Sequence, residues 1–186
     1  YTAAISGLIA TGCRVKRLGV VTTPTTGVMT DKARADAAMI VTASHNPQEW
    51  NGLKLLIRRA SWDTVSDGWG VPVDLLEPDA CAPDSVTAAQ IIDAFRGGAI
   101  AYADQAAMSD STVSNSEEDA HCLQVLEACE RYFGIDNFWE YIESRGRYTV
   151  VADSLNASSV HLDSVLFEGT PCRLIQFADD QSGIFP

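Results

Sequence analysis

Three side chains able to do chemistry together fall in one short run: Thr42-Ala43-Ser44-His45-Asn46-Pro47-Gln48-Glu49-Trp50-Asn51-Gly52-Leu53-Lys54. Ser44 offers a hydroxyl, His45 an imidazole that titrates near neutral pH, and Lys54, ten positions after Ser44, a cation. A serine hydroxyl is a poor nucleophile at neutral pH and needs a metal, a base or a good phosphoryl donor beside it. As phosphoserine it carries about −1.5 to −2 charge and becomes a donor itself. Phosphoryl transfer is catalysed mainly by positioning and by neutralising charge on the equatorial oxygens, so a lysine near such a serine has an evident use. A serine-hydrolase arrangement does not fit, because there is no Gly-x-Ser-x-Gly elbow and His45 directly follows Ser44. The plain alternatives are a turn serine, a solvated lysine and a histidine that only spaces the loop.

The flanking sequence says how these residues are held. Ala37-Ala38-Met39-Ile40-Val41 is a short, mostly apolar run without alternation, which predicts a strand buried on both faces of a sheet. The polar cluster follows at the strand's carboxyl end, where open α/β sheets place their ligands. Pro47 pushes Asn46 into an extended conformation and fixes a tight turn, so Ser44 and His45 belong to a constrained loop. Leu53 to Ile57 reads as the next strand, with Arg58 and Arg59 at its end, either able to approach a phosphate but read first as a solvated pair.

This run resembles the phosphoserine loop of the α-D-phosphohexomutases, the phosphoglucomutase, phosphomannomutase and phosphoglucosamine mutase group. The similarity is contiguous through Thr-Ala-Ser-His-Asn-Pro and resumes at Asn51-Gly52-Leu53-Lys54. The resemblance implies that Ser44 carries the phosphoryl group and passes it to a hexose monophosphate. A hexose 1,6-bisphosphate is the implied intermediate and activator, and the group is recovered from the other end of the sugar. It implies Mg2+ as cofactor, with the Ser44 phosphate as a metal ligand, and His45 and Lys54 as proton-handling or charge-neutralising residues. The alternative reading is a non-catalytic relative or fragment that binds a phosphosugar or a partner.

Composition narrows the remaining classes. With 186 residues and 46% apolar content the chain can build a core. A net charge of −12 argues against nucleic acid and anionic membrane as partners. No apolar run approaches the roughly twenty residues of a membrane span. Five scattered cysteines carry no metal spacing. Cys122 and Cys129, on one predicted helix, would stand about 10 Å apart along its axis, too far for a disulfide. That usage suits a reducing compartment, and the expected location is cytoplasmic. The oligomeric state is not legible.

In chain order, a helix carrying Ile5, Leu8 and Ile9 ends at Gly12, and a strand is expected at Leu18 to Thr22. Thr23-Pro24 opens a helix as N-cap and N1, which runs to about Ala35 and completes a strand-helix-strand crossover. Residues 60 to 83 read as irregular, with Trp62 and Trp69 able to stack on a sugar ring but more often, as such residues go, anchors of a loose loop. Val86 to Phe95 reads as a helix with Ile91, Ile92 and Phe95 on its apolar face, stopped by Gly97-Gly98. Residues 104 to 119 read as a linker. Beyond it come helices near 118 to 132 and through Phe138 and Ile142, a strand at Tyr148 to Ala152, a helix to Glu168, and a strand at Cys172 to Phe177. His121 and His161 are expected at the surface. The segment Asp153-Ser154-Leu155-Asn156 resembles a structural turn of the family, and Asp179 to Pro186 the turn closing its second domain.

The expected fold class is therefore α/β, two small layered domains with mixed, mostly parallel sheets, residues 1–115 and 116–186. The resemblance places them as the later part of the family's first domain and most of its second. It leaves the Asp-rich metal loop, the sugar-discriminating loop and the phosphate-gripping fourth domain outside the 186 residues, so the chain alone is expected to be inactive.

Overall fold

The computed structural model describes residues 1–47, 49–58, 80–98, 100–114 and 117–184, excepting the side chains of Glu117 and Glu118. Expectations for Arg59, Trp62 and Trp69 lie outside the described residues. The architecture is α/β with small parallel and antiparallel sheets. It divides into two compact units. One comprises Tyr1–Gly19, Thr30–His45 and Asn51–Asn115, the other Val20–Met29, Asn46–Trp50 and Ser116–Pro186.

In the first unit, α1 (Thr2–Ala10) stops at Thr11, and Gly12 follows at φ 83°. A side chain there would be strained by the left-handed backbone, and its Cβ would lie 3.1 Å from that of Ala103, so glycine ends the helix and lets a later segment approach. β1 (Lys16–Arg17) pairs in parallel with β5 (Thr112–Val113). The expected strand over 18–22 is not formed, because Gly19 sits at φ 78° and takes the backbone out of extended geometry. The strand-helix-strand crossover is therefore not observed: β1 and β2 belong to different sheets.

β2 (Ala37–Thr42), β3 (Gly52–Arg58) and β4 (Ala80–Cys81) form an antiparallel sheet in the order β2-β3-β4. The unbroken apolar run of β2 suggests a strand covered on both faces, yet Ala37 is exposed and residues 38–42 are half-buried. The reason is its place in the sheet: β2 is an edge strand of an antiparallel ladder, paired only with β3 among the described residues. Arg58 is not a solvated strand end. It is half-buried, and its Nε donates to the Ala35 carbonyl at 3.0 Å.

The helix α3 (Ser85–Gly97) has the boundaries its sequence dictates. Asp84 caps it by accepting from the Thr87 amide at 2.8 Å, and Gly98 closes it at φ 63°. Its apolar stripe stays exposed, with Ile92 at 46% and Phe95 at 85%. Helical periodicity identifies a face that wants cover; it does not supply the cover. The expected linker contains a short 3-10 helix (Gln105–Ala107) and β5, and the Ala103 amide donates to Ala10. Much of that segment is thus stitched into the first unit.

In the second unit, α4 (Glu117–Phe133) packs with α6 (Ser159–Phe167) and with α5 (Phe138–Arg145). Phe133 stacks on Phe138 and Tyr141, and Trp139 meets Phe167 edge-on. β6 (Thr149–Asp153) pairs in parallel with β7 (Arg173–Phe177). The helix α2 (Thr23–Lys32), whose residues 23–29 belong to this unit, is deeply covered there, with residues 25–29 all buried. Its cap lies one residue earlier than expected: Thr22, not Thr23, accepts from the Thr25 amide at 3.2 Å. None of the five cysteines forms a disulfide.

Candidate functional site

Ser44 stands two residues beyond β2, exposed, with φ at 58°. A left-handed backbone costs a non-glycine residue about 1–2 kcal/mol, and such strain, where observed, marks a candidate for function. The Ser44 amide donates to the Thr42 hydroxyl at 2.9 Å, which holds the turn. Sequence reasoning did not single out Thr42, although a threonine two residues before a turn serine is a recognisable side-chain turn. The Ser44 hydroxyl lies 3.4 Å from His45 Nδ1, too long for a strong hydrogen bond. No other partner of that hydroxyl is found among the described residues.

The hairpin brings Lys54 to the same end. Thr42 pairs with Gly52 and Ile40 with Lys54, and residues directly opposite in a ladder share a face. Lys54 therefore occupies the Thr42 face, one pleat repeat of roughly 7 Å behind the last pair. It is exposed, and its stem is long enough to span that step. Strand pairing thus joins Ser44, His45 and Lys54 at one hairpin end, although ten positions separate the first and last. Asn51 supports the return by accepting from the Gly52 amide at 3.0 Å.

Other titratable groups fall elsewhere. His161 is exposed, as expected. His121 is not a surface residue: it is half-buried, and its Nδ1 lies 2.9 Å from the hydroxyl of Thr25, which is 0% exposed. Burial pushes its pKa down. Asp180 is engaged within its own turn, where hydrogen bonding from Ser182 lowers its pKa. Among the described residues, no group of three or more His, Cys, Asp or Glu could hold a metal ion. A phosphate on Ser44 would offer hard oxygens suited to magnesium, but that is one ligand and not a site. The described residues alone therefore do not fit a resident magnesium ion. An open depression lined by Glu127, Glu130, Arg131, Gly134, Ile135 and Asp136 contains none of the candidate residues.

Comparison with known proteins bears directly on the hairpin. Residues 1–61 match the model of phosphoglucomutase/phosphomannomutase, alpha/beta/alpha domain I. Along 184 residues, 99% of the chain, it is 26% identical to the probable phosphoglucosamine mutase of Methanothermobacter thermautotrophicus. The chain is similar to the phosphohexomutases, and over residues 1–61 to their first domain. The probable phosphoglucosamine mutase of Methanopyrus kandleri is 28% identical over 184 residues. Similarity concentrates locally: the phosphoglucomutase/phosphomannomutase of Thermococcus kodakarensis is 50% identical over 54 residues, 29% of this chain and 12% of that protein. The chain spans 33% of the length of each of the first two relatives. No described helix is long and apolar enough to cross a membrane.

Proposed function

We propose that this chain supplies the phosphoserine-bearing portion of a phosphohexomutase. The reaction is reversible movement of a phosphoryl group between the 1 and 6 positions of a hexose phosphate. The bond from phosphorus to Ser44 Oγ breaks as one to a sugar hydroxyl forms, giving a hexose 1,6-bisphosphate. The phosphoryl at the other position then returns to Ser44. His45 or Lys54 receives the proton of the attacking hydroxyl, and Lys54 also offsets charge on the transferring group. The observation that carries the proposal is Ser44 itself: exposed, left-handed and without a strong hydrogen bond to its hydroxyl, within a family hairpin that also presents Lys54.

Residues 1–115 would form the phosphoserine domain and 116–186 part of the next, in a cytoplasmic enzyme acting on a small phosphosugar. Magnesium would take an oxygen of the Ser44 phosphate and its other ligands from outside the described residues. The 186 residues alone would then not interconvert glucose 1-phosphate and glucose 6-phosphate, or the mannose pair. Misplacing reacting groups by about 1 Å already costs a hundredfold, and among the described residues no metal-ligand cluster is present. A binding role for a phosphosugar or partner is the second reading, favoured by that same incompleteness.

The deciding experiment is peptide mapping by mass spectrometry after incubation with glucose 1,6-bisphosphate and magnesium. It uses a protein extending this chain to the length of its relatives. Phosphate on Ser44, chased off by hexose monophosphate, is expected. Turnover with Ser44 never modified would overturn the assignment, and so would failure to turn over any hexose phosphate. Turnover by the 186 residues alone would overturn the expectation that they are insufficient.

A further inference from the structure

We infer that Thr22, Thr25 and His121 form an acid-labile brace fastening the first turn of α2 to α4 within the second unit, a feature independent of the mutase reading. Thr25 is 0% exposed, so its hydroxyl proton and lone pairs must find partners inside the protein. Two are in reach: Thr22 Oγ1 at 2.7 Å and His121 Nδ1 at 2.9 Å. Thr22 Oγ1 also accepts from the Thr25 amide at 3.2 Å.

One ordering gives every hydroxyl proton an acceptor within the protein. Thr22 donates to Thr25, and Thr25 donates to Nδ1 of a neutral imidazole whose proton sits on Nε2. In the reverse order Nδ1–H donates to Thr25 and Thr25 to Thr22, which leaves the Thr22 proton without a described acceptor. A second proton on the ring turns Nδ1 into a donor and forces that reversal. Burial acts in the same direction, since it disfavours the charged ring and so lowers its pKa.

Charges on the surrounding elements do not compensate. Asp119 lies in the first turn of α4, Asp31 and Lys32 close the far end of α2, and His161 and Asp163 lie on α6. None contributes to the His121 shift, and Asp163 accepts from Ser154. The helix α5 meets the opposite end of α4 through Phe133 and Glu130.

The sign follows from linkage. A base whose folded pKa lies below its unfolded value of 6.5 binds fewer protons when folded. The brace is therefore intact above pH 6.5, and stability falls as the pH drops from there toward the folded value. The test is nitrogen-15 NMR of the imidazole in the 186-residue chain, with thermal unfolding between pH 5 and 7.5. The expected spectrum at pH 7.5 shows an unprotonated Nδ1 and a protonated Nε2, with a titration midpoint below that of the same histidine in urea. His121→Asn keeps an acceptor that does not titrate, and should lose less of its melting temperature on acidification than the wild type. A proton on Nδ1 at pH 7.5, or a midpoint at or above the urea value, overturns the inference. So do identical pH profiles for the two proteins. If His121→Asn fails to fold, the wild-type spectrum decides alone.

Discussion

Two serines follow two strands in this molecule, and they have opposite surroundings. Ser44, after β2, is exposed and strained at φ 58°, and among the described residues its hydroxyl has only a long approach to His45. Ser154, after β6, is 2% exposed; its hydroxyl donates to Asp163 Oδ2 and accepts from Gln176 Nε2, each at 2.8 Å. Gln176 in turn donates to the Val160 carbonyl and accepts from Ser164, tying β7 to α6. The strain at the second turn falls on its neighbours, Leu155 and Asn156, both at φ 51°. Asn156 compensates by bonding the backbone at Ile184, Ala178, Asp180 and Gly183. A serine whose hydrogen-bond capacity is filled by the fold contributes stability. One whose hydroxyl is left unfilled is available to an external phosphoryl group.

The largest effects should come from the hairpin. In a protein extended to the length of its relatives, Ser44→Ala should lower turnover by about four orders of magnitude or more, the scale on which losing a nucleophile acts. A coupled mutase assay reads this, and near-normal turnover would erase the contrast between the two serines. Lys54→Met should lower turnover by about two to four orders, the worth of a positioned acid or base, with the far-ultraviolet dichroism unchanged. Normal turnover would leave Lys54 a solvated lysine on the Thr42 face.

The strand, loop and strand around Ser44 were legible in the sequence because their information is local, whereas their antiparallel pairing was not. Ser44 to Lys54 carry both the candidate residues and the turn within a dozen positions, and Asp84 and Gly98 likewise announce the ends of α3. What the sequence hid depends on partners far along the chain. An unbroken apolar run such as β2 cannot say whether its neighbour is parallel, so the edge position of that strand needed the ladder itself. His121 reads as a surface residue until Thr25, 96 positions away, is placed beside it. The polar stretch before residue 115 reads as a linker because β5 is only two residues long and takes its stability from pairing with β1.

A smaller effect is expected at the buried serine. Ser154→Ala leaves Asp163 and Gln176 each short of a partner inside the second unit, and an unsatisfied buried polar group costs about 1–3 kcal/mol. Urea unfolding should show that loss, while phosphoryl acceptance at Ser44 in the extended protein stays unchanged. If Ser154→Ala instead abolished phosphorylation without loss of stability, the two turns would be coupled in function and the contrast drawn above would fail.

The smallest effect has the opposite sign. Ser44→Gly removes the hydroxyl but also the Cβ that makes a left-handed backbone costly by about 1–2 kcal/mol. Glycine's extra freedom in the unfolded chain returns about 0.5–1 kcal/mol of that. The amide bond to the Thr42 hydroxyl survives, since it uses only the backbone of residue 44. A net gain of about 0.5–1 kcal/mol is expected for the 186-residue chain, or a melting temperature raised by about 2 °C at this size. The comparison is sharpest here, because the substitution that ends phosphorylation should also make the fold more stable. Ser44 would then be kept in place at a cost to stability. A lower melting temperature for Ser44→Gly would mean that the hydroxyl holds the loop together, as the hydroxyl of Ser154 holds its own turn.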